Sequence, residues 1–134
     1  MKRFFIILIL FITSFSAFAQ DDDKGKIRDR MNEYIQQKLG LSKSEADKFT
    51  PVFLRYFKDF NQTHRQYRDD ILLLKQKIIE LRIRYRTEYR QMMDEQRANK
   101  VFVYEDDFRK AAIQILENRR DRLGEKALRR NGLQ

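Results

Sequence analysis

Between positions 71 and 92 apolar residues recur at steps of three and four, and no other feature of the chain restricts its fold as strongly. Ile71, Leu74, Ile78, Leu81, Tyr85 and Met92 form this seam, with Glu88 as its one polar member. The alternation draws one stripe along a helix, and the stripe is buried against a neighbouring helix. Read from Asp69 to Asp94, the helix is roughly 40 Å long at 1.5 Å per residue. A second stripe, Leu72, Ile79 and Ile83, runs on into Arg86 and Arg90. A helix with two stripes touches more than one neighbour. No run of useful length alternates with period two, so the expected fold class is all-α.

Other helices frame this one. Ile27, Met31, Tyr34, Ile35 and Leu39 predict a first helix, and Gly40 sits where a helix end takes a left-handed residue. Ser42 and Glu45 have the spacing of a capping box, with Leu41 placed to staple onto the first turn at Ala46. The helix they start carries Phe49, Phe53, Tyr56, Phe60, His64 and Tyr67 on one face, widened by Val52, Leu54 and Phe57. Pro51 predicts a kink or restart near Thr50. A break near Arg97–Asn99 precedes a last helix from Lys100 to Leu123, which buries Val101, Tyr104, Phe108, Ala112, Ile115 and Leu116. Glu105 to Asp107 near its start and Arg119, Arg120 and Arg122 near its end suit the helix dipole. Gly124 ends it, and 124–134 form a basic, frayed tail.

The first 19 residues read as an address. Lys2 and Arg3 precede an apolar run from Phe4 to Ile12, and Ala17-Phe18-Ala19 is a cleavage site of the A-x-A kind. The apolar run is too short to span a bilayer. Cleavage after Ala19 leaves 115 of the 134 residues and removes two cations, so the net charge falls from +9 to +7. The expected organisation is a signal peptide over 1–19, a flexible leader over 20–26, a helical domain over 27–123 and the tail. The leader's Asp21, Asp22 and Asp23 read as a solvated run, with weak cation binding left open. The expected location is the periplasm. There the positive charge meets envelope proteins, unfolded chains and anionic lipid rather than nucleic acid.

Composition excludes much catalytic chemistry. There is no Cys and one His, so thiol nucleophiles, thiolate metal sites and multi-His sites are out. The four Gly include no phosphate-cradling loop. His64 has Phe60 and Arg68 as its helical neighbours, so it lacks both a catalytic partner and a second ligand. Adjacent carboxylates at Asp69-Asp70 and Asp106-Asp107 do not face each other on a helix. Met92 and Met93 diverge in the same way and make no soft-metal site. No enzyme activity, cofactor or metal is expected. Arg82, Arg84, Arg86 and Arg90 admit two readings: a solvated face paired with Glu80 and Glu88, or a basic rim beside the second stripe that holds flexible chains.

Two short segments carry a resemblance. Leu41-Ser42-Lys43-Ser44-Glu45 is similar to the LTxxQ motif of the Spy/CpxP family of small exported helical proteins. Met92-Met93-Asp94-Glu95-Gln96 resembles a second, degenerate copy. Ser42 and Glu45 replace Thr and Gln in the first copy, and Met92 and Met93 replace Leu and Thr in the second. The stretches Leu39–Phe60 and Asn99–Phe108 look most like the branch labelled sensors of extracytoplasmic-function sigma factors. The resemblance spans Ile27 to Leu123 and implies an elongated, hooked hairpin of about four helices that pairs into a curved homodimer. It implies an ATP-independent periplasmic chaperone or envelope-stress modulator, binding unfolded or partly folded envelope proteins or a sensor's periplasmic domain. The family's metal-binding His-rich and Cys-containing segments are missing here, so metal sensing is not carried over. Leu72, Ile79, Ile83, Arg82, Arg86 and Arg90 are the candidate client or partner surface. The alternatives are a dedicated regulatory partner without general chaperone activity, and a structural helical protein bound to an anionic membrane surface.

Overall fold

The computed structural model describes residues 24–132, which form four helices and no strand. Helix α1 spans 24–39, α2 Lys43–Tyr67, α3 Ile71–Tyr89 and α4 Glu95–Arg130. The all-α expectation holds. The signal peptide, the cleavage point and the Asp21–Asp23 run lie outside the described residues.

Local chemistry sets the joints. Gly40 closes α1 with φ 61°, and the amides of Leu41 and Gly40 donate to the carbonyls of Gln36 and Gln37 at 3.2 Å each. This is the paired-bond helix end that needs a left-handed residue, so only Gly fits without strain. Ser42 then caps α2. Its hydroxyl accepts from the Glu45 amide and the Glu45 carboxylate accepts from the Ser42 amide, at 3.1 Å each. Asp70 caps α3 and Asp94 caps α4 in the same manner, each accepting an amide three residues on.

Helices α1 and α3 both run antiparallel to α2, and α4 runs parallel to it. Asn32 and Gln36 of α1 donate to Thr50 Oγ1 at 3.3 and 2.9 Å. Along α3, Arg55 meets Glu88 at 2.8 Å and the Tyr85 hydroxyl donates to Asp59 at 2.6 Å. Along α4, Arg97 meets Glu45, Tyr56 meets Glu105, and Arg109 lies over Phe60. The core between them is aromatic. Phe49, Phe53, Tyr56 and Tyr89 are fully buried, joined by Met31, Ile35 and Val101. Burying each large apolar side chain contributes about 1.5–3 kcal/mol.

Several boundaries differ from the sequence expectation. Lys24 to Lys26 belong to the first turn of α1, not to a leader. Helix α2 passes through Pro51 without a restart. Pro51 is exposed, so the carbonyl left without a donor faces solvent. Helix α3 is 19 residues long and ends at Tyr89. The break falls at 90–94 rather than at Arg97–Asn99, because Asp94 captures the Arg97 amide and starts α4 there. Helix α4 then continues past Gly124 to Arg130. A helical glycine costs about 1 kcal/mol against alanine but keeps its backbone bonds, so it does not stop a helix by itself.

Candidate functional site

Helix α3 presents the second stripe to solvent. Leu72 is 76%, Ile79 58% and Ile83 50% exposed, a high exposure for large aliphatic side chains. The seam side is turned inward: Leu74, Leu81, Tyr85 and Tyr89 are buried. Tyr89 completes that face from a position the three–four spacing did not include, and Met92 falls beyond the helix in the following turn.

The arginines divide. Arg86 and Arg90 continue the stripe; Arg86 is half-buried, with its Nε buried and without a partner among the described residues. Arg90 reaches Glu95 at 2.7 Å across the turn into α4. Arg84 is exposed. Arg82 does not belong to the surface. Its guanidinium points between α3 and α4, donating to Glu105 at 2.9 Å and to Asp106 at 2.6 Å. Glu80 and Glu88 are held elsewhere, by Lys77 and Arg55.

Arg82 belongs to a buried ionic network that the sequence reading missed. Glu105 is 0% exposed. One of its oxygens accepts from the Tyr56 hydroxyl at 2.6 Å and from Arg82; the other accepts from Arg109 Nε and Nη2 at 3.1 and 2.9 Å. Burial opposes the Arg82 charge, but the hydrogen bonds it donates to Asp106 and the charge of Glu105 outweigh it and raise its pKa. Burial raises the Tyr56 phenol, and the Glu105 charge adds to the effect. Tyr85 is raised by burial and by its bond to Asp59, and Tyr89 by burial above all. This geometry fixes helices in register.

The two motif segments meet. Arg97, in the first turn of α4, sends Nη1 and Nη2 to the two Glu45 oxygens at 3.2 and 2.6 Å, while its Nε reaches Asp94. Helix starts 52 residues apart in sequence are thereby clipped together. The Arg97 hydrogen bonds hold both carboxyls below their usual values. In the first motif Ser42 and Glu45 take their expected capping places, and Leu41 packs partly buried against the core. The second is shifted by one residue. Its cap is Asp94, Met93 is buried in the core, Met92 is half-buried, and Gln96 is exposed outside any capping box. Asp94 at the cap and Arg97 three residues on replace the expected pair because a carboxylate caps an amide and a methionine cannot.

On α4, Ile115 and Leu116 are exposed rather than buried. They join Ile27 and Phe108 along an open groove of about 310 Å³. His64 is exposed beside Phe60, with ring centroids 5.0 Å apart. Among the described residues no three His, Asp or Glu side chains group as metal ligands, and no helix is long and apolar enough to cross a membrane. The chain matches no family model, no curated protein and no solved structure.

Proposed function

We propose that this chain is a non-catalytic polypeptide-binding protein of the periplasm, exported by a signal peptide cleaved after Ala19. It holds unfolded or partly folded envelope proteins without nucleotide, as a chaperone or envelope-stress modulator, and acts as a homodimer. The exposed stripe Leu72–Ile79–Ile83 beside Arg84, Arg86 and Arg90 carries the reading. Apolar surface on a short-range scale supplies holding energy, at roughly 25 cal/mol per Å² buried, and the net positive charge steers acidic chains from further away. Arg82 is left out of this surface, since Glu105 and Asp106 neutralise it.

The test is suppression of aggregation by the mature chain, without nucleotide, for two unrelated unfolding clients at low and high salt. The expected result is suppression that weakens with salt, and that falls in an Ile79→Glu/Ile83→Glu variant of unchanged helicity. Failure with both clients refutes the general chaperone and favours a dedicated partner of one envelope sensor. Co-sedimentation with anionic vesicles in place of either result favours the membrane-bound structural reading.

A further inference from the structure

At the end of the bundle away from Gly40 lies an open hollow of about 600 Å³, bounded by the start of α1, the second half of α2 and α4. Three exposed cations, Lys24, Lys58 and Arg65, line it, and none has a hydrogen bond or ion pair among the described residues. A fourth, Arg109, is already neutralised by Glu105 and lies 4.0 Å over the Phe60 ring. Among the described residues no Asp or Glu lines the hollow. Elsewhere Arg28, Arg55, Arg90 and Arg97 each meet a carboxylate. Its open apolar surface is Ile27 and the His64 ring, with Phe57 and Phe60 buried at its edge and Arg109 lying over Phe60.

Cations gathered without a counter-charge repel one another, and an anion among them relieves the repulsion. Water solvates the cations as well as an anion would, but it leaves the apolar walls wet. The arrangement therefore selects a ligand that joins a negative group to an apolar one. The His64 ring favours an aromatic ring, packed edge-to-face or offset. The volume falls within the range of small-ligand sites and exceeds one side chain.

We propose that this hollow binds the carboxylate end of a polypeptide whose last residue is aromatic, ring against Ile27 and the exposed His64 ring and carboxylate among Lys24, Lys58 and Arg65. The proposal rests on the polypeptide-binding reading above, and adds a second contact that selects chain ends.

The probe is acetyl-Ala-Ala-Phe with a free carboxylate, compared with its carboxamide and with acetyl-Ala-Ala-Ala. Each is titrated into the purified chain while the amide resonances of Lys58, Asn61 and Arg65 are followed. The free acid is expected to shift these resonances saturably, with the other two peptides weaker by about tenfold, the ratio expected for one lost charged or aromatic contact. Lys58→Gln/Arg65→Gln is expected to weaken the free acid by about tenfold, and Lys58→Arg/Arg65→Lys to restore it. Both side chains are exposed, so the fold is expected to survive, as helical circular dichroism checks. Equal binding of acid and amide, no saturable binding, or indifference to the Gln variants overturns the site. The Ile79→Glu/Ile83→Glu variant separates the two readings. Tripeptide binding without aggregation suppression by the parent chain refutes the chaperone and leaves the site standing. Suppression without tripeptide binding refutes the site alone.

Discussion

Replacing Glu105 by Gln tests the buried network with the smallest change in shape. The parent carboxylate accepts four hydrogen bonds, three of them from guanidinium groups. Gln offers one acceptor and one amide group. If the oxygen keeps Arg109, the amide faces Tyr56 and Arg82. The Tyr56 hydroxyl can turn to accept, but Arg82 Nη2 cannot. If the oxygen keeps Arg82, both Arg109 bonds are lost. Either way, two guanidinium groups lose the negative charge between them, with side chains only 23% and 28% exposed. Breaking a buried ion pair from one side costs about 3–5 kcal/mol. At about 4 °C per kcal/mol for a domain of this size, the thermal midpoint should fall by roughly 12–20 °C. Loss of helical circular dichroism on heating measures it. A second variant sharpens the test: Tyr56→Phe, Arg82→Met, Glu105→Leu and Arg109→Met together remove every buried polar group of the network. That variant should recover to within about 1 kcal/mol of the parent, because an apolar replacement leaves nothing unpaired. A loss below about 1 kcal/mol for Glu105→Gln would refute the reasoning, and would mean that water reaches both guanidinium groups.

Three further predictions concern other parts of the chain. Arg97→Met should lower stability by an amount that is constant above pH 5 or so and shrinks as pH falls through the Glu45 and Asp94 titrations. Both carboxyls lie below their usual values of 4.5 and 3.8, so their contribution is present above those values and is lost in acid; urea midpoints from pH 3 to 7 check it. Tyr56, Tyr85 and Tyr89 are all raised above the ordinary phenol value of 10.0, so the folded state keeps three protons that the unfolded chain gives up. Stability should therefore fall as pH rises beyond 10, with these three phenols ionising only as the fold opens, which near-ultraviolet absorbance follows. Gly124→Ala meets open space at its Cβ, and should raise the local stability of the α4 end by about 0.5–1 kcal/mol, read as slower amide exchange over 118–130.

The sequence made the helices legible wherever one residue type has one local meaning. The Gly40 end and the Ser42–Glu45 box are decided within five residues, and both appear where the pattern places them. The second stripe calls for a further neighbour, but among the described residues Leu72, Ile79 and Ile83 stay exposed, since two stripes cannot both face α2. What escaped depends on partners distant in the chain. Glu105 reads as a helix-start carboxylate until Tyr56, 49 positions away, and Arg82 close around it. Arg82 reads as rim for the same reason. Ile115 and Leu116 lie on the right face, but periodicity says which way a side chain points and not whether a neighbour extends that far. Helix α2 ends at Tyr67; with α4 offset by 49 positions at Tyr56–Glu105, Ile115 and Leu116 stand level with its last two residues, and no further turn of α2 follows to cover them.

That offset also gives the molecule a direction. The turn at Gly40, the cap at Ser42 and the Arg97 clip share one pole, since α2 and α4 begin side by side there. Lys24, the Arg68–Asp70 turn and the free length of α4 share the other. Both ends of the described chain leave from this second pole. A tether at either end, whether a fusion partner or a solid support, therefore holds the molecule by the same side and turns the clipped pole outward. Distance labels near Lys24 and near Leu116 should report one neighbourhood, and the same label at Gly40 should report the far side of the molecule.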